Sequence, residues 1–227
     1  KAPFFTHLAE TKREVEECKE RYGMTPTQLL NDLGLFDYGG GGYHCVYMDD
    51  KDIEIFKEKK LTAVTNPASN LKLASGIAPV SRFLKEGIPV AIGTDGAGSN
   101  NCLDMFREMF LVTGLAKYRD MDAASTDAIE VLKMATVNGA KAMGLTGSDV
   151  LAPGKYADLI MIDMHQPNMQ PINNIAKNIV YSGSKQNVKM TMIDGKILYE
   201  DGKFFIGEDP EKLYAKANEI ADRLRQE

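Results

Sequence analysis

The chain has 227 residues, 44% of them hydrophobic and 26% charged, which is typical of a globular protein with one large core or one domain plus a smaller unit. Twenty-seven basic and 32 acidic residues give a net charge of -5, which favours neither a nucleic-acid nor an anionic-membrane partner. No apolar run approaches the roughly 18 residues of a membrane span, no signal peptide is evident, and the three cysteines lack CxxC spacing. We therefore expect a cytoplasmic protein without disulfides.

The first two-thirds of the chain alternates short apolar segments with helical ones. The predicted strands are "APFFTHLA", "YHCVYM", "LTAVTNP" and "IPVAIGTDG". The predicted helices are "ETKREVEECKERYG", "TPTQLLNDLG", "DDKDIEIFKEKK" and "VSRFLKEG", with further helices around 103–115 and 126–143. This alternation indicates a parallel sheet with helices outside it. The run "GGGG" predicts a flexible approach to the second strand.

Capping signals mark the ends of two of these helices. Thr25 is a suitable N-cap, Pro26 follows at the first helical position, and Gly34 comes just past the end. Asp49 or Asp50 can cap the next helix.

The character of the sequence changes near residue 150. "KYADLIMIDM" and "NIVYSG" are predicted strands, and the pairs Asp194-Gly195 and Asp201-Gly202 predict tight hairpin turns, because both central positions need positive φ. The final segment, "EDPEKLYAKANEIADRLRQE", has the spacing of an amphipathic helix. We expect a small antiparallel β unit followed by a helix.

Each of the first four predicted strands ends in a polar or ionisable residue: His7, His44, Asn66 and Asp95. Because the carboxyl ends of parallel strands open onto one mouth, we expect these side chains to form a single site. His7, with Glu10 beside it and Asp95 at another strand end, suits zinc or iron(II).

Each of these residues also has a structural interpretation. A lone histidine such as His7 or His44 is often a hydrogen-bonded core residue, and Asp95 with Gly96 can form an Asp-Gly turn. The glycines after Asp95 are a weak phosphate-loop signal, since no Lys-Ser/Thr follows them. His165 is expected at the surface.

Several motifs together resemble the amidohydrolase superfamily, most of all its 5-methylthioadenosine/S-adenosylhomocysteine deaminases and triazine chlorohydrolases. They are "THLAET", "YHCVYMDDKDI", "NPASNLKLASGIAP" and "IGTDGAGSNNCLDMFREM", followed by "ATVNGAKAMGL", "LAPGKYADLIMID" and "MIDGKILYEDGK". The resemblance implies the carboxyl-terminal half of a TIM-type (β/α)₈ barrel, strands five to eight, over residues 1–148. A small composite β unit would then occupy 149–207, and a helix 208–227.

The resemblance also implies a role for each site residue. His7 and Asp95 match ligands of one divalent metal, with zinc expected and iron or another divalent ion as alternatives. Asp95 is also expected to act in catalysis by accepting a proton from the metal-bound water. His44 matches the histidine that contacts the attacking water, as a hydrogen-bond donor, and Glu10 matches the acid/base that protonates the substrate ring. Asn66 and Asn70, with Ser69, match a structural or substrate-binding loop. Metal-activated water would attack the ring carbon that bears the amino group and release ammonia.

The family's first strand ends in an HxH pair of metal ligands, and this sequence contains no HxH. We therefore expect a chain that needs an amino-terminal half, is nearly metal-free and inactive alone, and self-associates through open sheet edges. The alternatives are a chlorohydrolase, a guanine- or cytosine-type deaminase, and a non-catalytic truncated paralogue or partner subunit.

Overall fold

Two four-stranded sheets organise the computed structural model of the chain, which describes residues 1–226. The first sheet is parallel, and its strands are β1 (Phe4–Leu8), β2 (Gly40–His44), β3 (Thr62–Thr65) and β4 (Val90–Ile92). Their order in the sheet is their order along the chain. Right-handed crossovers between successive neighbours place all the connecting helices on one face, as in a β/α barrel and unlike a doubly wound sheet.

Four of the helices that connect or follow these strands lie close to their predicted positions, at 12–22, 26–32, 50–58 and 80–85. The helix predicted around 103–115 extends to Asp120, and the short helices at 67–72 and 97–100 were not predicted. In chain order the helices are α1 (Lys12–Tyr22), α2 (Pro26–Asp32), α3 (Asp50–Glu58), α4 (Pro67–Lys72), α5 (Val80–Lys85), α6 (Ala97–Asn100), α7 (Met105–Asp120), α8 (Ala128–Ala135) and α9 (Val137–Ala142). Thr25 caps α2, and Asp49 rather than Asp50 caps α3. The single helix predicted over 126–143 is two, because the chain breaks at Thr136, whose φ is -129° and ψ is -92°.

The core lies between the sheet and its helices. Phe36, Phe56 and Phe83 are almost completely buried there, as are Leu8 and Val90 from the strands. Burying a large apolar side chain contributes about 1.5–3 kcal/mol, so this layer holds the strand ends in place.

The prediction that the glycine run is flexible is wrong, because three of its glycines form most of β2. A Cβ on Gly41 would lie 1.9 Å from the carbonyl oxygen of Thr62, and a Cβ on Gly40 equally close to that of Phe4. Glycine here allows the close approach of neighbouring strands and does not loosen the chain.

The second sheet is antiparallel, in the order β5 (Leu159–Ile162), β6 (Val188–Ile193), β7 (Lys196–Glu200) and β8 (Lys203–Phe204). Both Asp-Gly pairs form the predicted turns, with φ of 49° and 74° at the first pair and 44° and 83° at the second. The carboxyl-terminal helix α11 (Pro210–Gln226) has no buried residue. None of the helices among residues 1–226 is long and apolar enough to cross a membrane.

The strand predicted in "NIVYSG" is wrong, because this segment lies in helix α10 (Ile175–Ser182) and the glycine after it. Asn174 caps the helix by accepting a hydrogen bond from the backbone N–H of Lys177, and Ala176 and Val180 are buried one turn apart. The short apolar run alone did not reveal this helical period.

We predict that Gly41→Ala destabilises the chain severely, by more than about 4 kcal/mol, because the added methyl overlaps backbone that cannot move without breaking the sheet. Gly114→Ala is the matched control: it lies within α7 with open space at its Cβ, and it should stabilise by about 0.5–1 kcal/mol. Urea denaturation measures both. Equal free energies of unfolding for the two variants would contradict the close approach of β2 to its neighbouring strands.

Candidate metal centre at the carboxyl end of the parallel sheet

Three of the predicted strand-end residues converge. One ligand atom from each of His7, His44 and Asp95 lies within 4.8 Å of the other two. The two imidazole rings stack, with centroids 5.4 Å apart. His7 is exposed, whereas His44 is fully buried and the Asp95 side chain is 20% exposed. The sheet thus brings two imidazoles and a carboxylate to the rim of one opening.

The backbone turns sharply at these strand ends. His44 has a φ of 71°, Asp95 of 57° and Ala9 of 49°, all in the left-handed region that non-glycine residues seldom adopt. Backbone strain of this kind is concentrated at functional sites, where it aims side chains in directions that regular strands do not provide.

The orientation of His44 is set by Asn70. Nδ1 of His44 lies 2.7 Å from Oδ1 of Asn70, and both side chains are buried. With Oδ1 as the acceptor, Nδ1 carries the proton in the neutral ring, and Nε2 presents a lone pair to the site. The predicted donor role of Nε2 therefore requires the imidazolium form. Within the described residues, Nε2 is buried and has no hydrogen-bond partner.

Asp95 is held by three hydrogen bonds. Oδ2 accepts from Oγ of Ser69 at 2.6 Å and from Oγ of Ser99 at 2.8 Å, and Oδ1 accepts from the backbone N–H of Gly96 at 2.8 Å. Partial burial opposes ionisation, but these hydrogen bonds outweigh it and hold the pKa of the Asp95 carboxyl below its ordinary value. Asp95 is therefore kept as an anion, the form that binds a cation.

Glu10 borders the same space. Its Oε2 lies 3.8 Å from Nε2 of His44, and its Oε1 accepts a hydrogen bond from Oγ of Ser75 at 2.9 Å. Glu14 fixes the backbone here, because its carboxylate accepts from the N–H groups of Ala9 and Glu10, both at 2.8 Å. The capping box that starts α1 therefore also positions the candidate acid.

The asparagines predicted to bind substrate lie deeper. Asn70 sits behind His44, and Asn66 packs against Gly93, where a Cβ would come within 2.3 Å of Oδ1 of Asn66. His165 is exposed, as predicted. Sequence reasoning missed Ser75 and Ser99, whose only signal is that each lies in the polar segment after a strand end.

The donor set fits a divalent metal. Two imidazoles and a carboxylate are the ligands zinc takes in catalytic sites, and the lone pair of the unpartnered Nε2 of His44 borders the same space. The side chains of His7 and Asp95 lie at their strand ends, and Nε2 of His44 borders the same space.

The sequence is similar to that of known proteins over most of its length. The model of the Amidohydrolase family matches residues 1–198. A 5-methylthioadenosine/S-adenosylhomocysteine deaminase from Caldanaerobacter subterraneus is 44% identical over 96% of this chain and 50% of its own length. A 5'-deoxyadenosine deaminase from Methanosarcina mazei is 41% identical over 96% of this chain and 50% of its own.

The fold has a close counterpart among solved structures. An adenosine deaminase from Xanthomonas campestris with bound zinc superposes with a TM-score of 0.94 at 34% identity, over 99% of this chain and 51% of that one. The chain thus spans about half the length of the curated relatives and of the solved structure that it matches.

We predict that Ser69→Ala destabilises the chain by about 1–3 kcal/mol at pH 7, because it removes a hydrogen bond to a charged carboxylate. The folded pKa of Asp95 is lowered, so this stability is present above the unfolded value of about 3.9 and is lost as pH falls through the lowered value. The difference from wild type should therefore shrink below about pH 4. Urea denaturation between pH 7 and pH 3 measures it.

Thr113→Val is the matched control, since the buried hydroxyl of Thr113 donates at 2.9 Å to the backbone carbonyl of Thr126, a group that does not titrate. Its destabilisation should not change with pH. A pH-independent effect of Ser69→Ala would show that the hydroxyl does not stabilise the Asp95 anion.

Proposed function

This chain belongs to the amidohydrolase family, and we propose that it forms the carboxyl-terminal half of a metal-dependent hydrolytic deaminase acting on adenosine-type nucleosides. The proposal rests chiefly on one geometric observation. Oε2 of Glu10 and Oδ2 of Asp95 lie 3.8 Å and 4.0 Å from the same buried, unpartnered nitrogen of His44. Relatives above 40% identity that are named as deaminases of this substrate class support it.

His7 and Asp95 would hold the metal, which we propose to be zinc. When bound there, a divalent ion would supply Lewis-acid activation of a water molecule. Asp95 serves as a ligand because its three hydrogen bonds stabilise its anion. The same hydrogen bonds make it a weak base.

A proton of the attacking water would pass to His44, and the Asp95 carboxylate, whose Oδ2 lies 4.0 Å from Nε2, would stabilise the resulting imidazolium. Neutral His44 presents the lone pair of Nε2 to this space, and the hydrogen bond from Nδ1 to Asn70 fixes the ring while it accepts a proton. Once protonated, Nε2 becomes a donor and stabilises negative charge on the oxygen that has attacked. His44 therefore first accepts a proton at Nε2 and afterwards acts as the expected hydrogen-bond donor.

Glu10 acts on the ring side. Protonated Glu10, held at Oε1 by Ser75, would give its proton through Oε2 to a ring nitrogen and would then take the second proton of the attacking water as the carbonyl forms. The proton held by His44 would go to the amino group, which leaves as ammonia, so both residues return to their starting forms. An amino group needs a proton to leave, whereas chloride does not. The presence of Glu10 therefore favours a deaminase over a chlorohydrolase.

The parallel sheet has two open edges and an apolar groove that a partner polypeptide could cover. Among residues 1–226, β1 and β4 each pair with one strand. One face of the sheet, with Phe5, Val64 and Ala91, and the end of α9 line a largely apolar groove of about 650 Å³. We propose that an amino-terminal half completes the barrel over this groove. We also propose a cytoplasmic location, in keeping with three free cysteines.

We predict that the 227-residue chain self-associates when it is studied alone, because its two open edges present unpaired backbone groups beside apolar side chains. Multi-angle light scattering should give masses above that of one chain. A stable monomer at high micromolar concentration would contradict this.

The proposed function is tested by combining the chain with the amino-terminal half of the Caldanaerobacter relative and measuring ammonia release from 5-methylthioadenosine and S-adenosylhomocysteine. We predict activity that depends on zinc for the combination and little or none for the chain alone. Glu10→Gln should lower kcat by about 10²–10⁴-fold and leave the zinc content unchanged, because it removes a proton donor and no metal ligand. His7→Ala should lose both the deaminase activity and the bound zinc.

Glu17→Gln, the same change at an exposed position of α1, is the matched control and should leave activity at the wild-type level. Activity on a chlorotriazine, guanine or cytosine in place of the nucleosides would assign the chain to another branch of the family. Zinc binding without turnover of any of these substrates would favour a non-catalytic subunit.

A further inference from the structure

A fully buried carboxylate, Glu108 on α7, has no part in the chemistry proposed above. It lies in the same helical stripe as the buried apolar residues Met109 and Val112, where a charge is costly unless it is hydrogen-bonded. Burial raises the pKa of its carboxyl, and the hydrogen bonds it accepts only partly offset this.

Both oxygens of Glu108 are used, and both contacts lead to the segments that hold Asp95. Oε2 accepts from the backbone N–H of Ala68 at 3.0 Å, one residue before Ser69. Oε1 accepts from Nδ2 of Asn100 at 2.8 Å, one residue after Ser99.

Asn100 extends the connection to the strand end. Its Nδ2 also donates to the backbone carbonyl of Thr94 at 2.6 Å, one residue before Asp95. A single buried carboxylate therefore ties α4 to α6, the two segments whose hydroxyls bind Oδ2 of Asp95, and ties both to the backbone beside that aspartate.

We propose that Glu108 is a positioning residue for the metal centre: it fixes α4 against α6 so that Ser69 and Ser99 hold the Asp95 carboxylate in ligating orientation. The inference rests on the proposed function, because it assumes that Asp95 binds a metal. Glu108 touches neither metal nor substrate and acts only through these two segments.

Glu108→Gln tests this with little change in shape. Glutamine keeps one acceptor oxygen and replaces the other with an NH₂ group, which must face either the N–H of Ala68 or the NH₂ of Asn100, both donors. One of the two ties is therefore lost whichever way the amide turns.

Asp52→Asn is the matched control. Asp52 is also fully buried and burial raises its pKa, but it accepts hydrogen bonds from Thr25, Gln28 and the backbone of Asp49, between α2 and α3. It should weaken the fold without affecting the metal centre.

The first measurement is backbone amide hydrogen exchange in the 227-residue chain, which needs no metal. Glu108→Gln should speed exchange about tenfold in whichever of residues 66–75 and 94–101 loses its tie to residue 108, the effect of losing one hydrogen bond to a charged group. Asn100→Ala, a second variant, should affect only 94–101. Asp52→Asn should affect neither segment.

The second measurement is Co²⁺ binding by the chain combined with the amino-terminal half used for the activity assay, followed by the visible absorption of the ion. Glu108→Gln should weaken Co²⁺ affinity about 10–100-fold and alter the spectrum, as expected when a partner behind a metal ligand is disturbed. Wild-type affinity and spectrum in Glu108→Gln, or an equal loss in Asp52→Asn, would overturn the inference. Absence of Co²⁺ binding by the wild type would refute the metal centre of the proposed function, and unchanged exchange in Glu108→Gln would by itself refute the tie between α4 and α6.

Discussion

The site depends on the pairing of four parallel strands in chain order. That pairing alone brings His7 near the start of the chain to the same edge as Asp95 after the fourth strand. It requires β2 to lie unusually close to both neighbours, and glycine at Gly40 and Gly41 is what permits this. A sequence feature that looks like a flexible linker is therefore the condition for assembling the centre, since any side chain at these positions would force the strands apart.

Features encoded within a few residues could be predicted from the sequence. The cap at Thr25 and the turns at Asp194-Gly195 and Asp201-Gly202 follow from backbone preferences that depend little on the rest of the molecule. The ends of β1 and β3 could be predicted to within one residue, because a short apolar run that stops at a polar residue leaves little choice of boundary. The strand predicted as "YHCVYM" was placed too late, since β2 ends at His44 and includes the three glycines before Tyr43, and β4 ends at Ile92, three residues before Asp95. The family resemblance then added the half-barrel, which the matches confirm.

Features that depend on distant partners could not be predicted. The hydroxyl of Ser99 is useful only because Asp95 turns back towards it through a left-handed backbone, and the tie between Asn70 and His44 joins different strand ends. Helix α10 was missed for a related reason: its buried face at Ala176 and Val180 becomes evident only against the helices it packs on. The sequence shows which side chains can donate hydrogen bonds, whereas the tertiary structure decides which acceptors they reach.

One buried nitrogen, Nε2 of His44, distinguishes this cluster from a group of core residues whose polar atoms are all hydrogen-bonded. A structural histidine in a core makes hydrogen bonds at both ring nitrogens, since leaving one buried nitrogen unpaired costs about 1–3 kcal/mol. Nδ1 of His44 is paired with Asn70, whereas its Nε2 is buried without a hydrogen-bond partner among residues 1–226 and faces two carboxylates at 3.8 Å and 4.0 Å. A water or a substrate atom between these groups would give this nitrogen its partner, and that is the arrangement on which the proposed function depends.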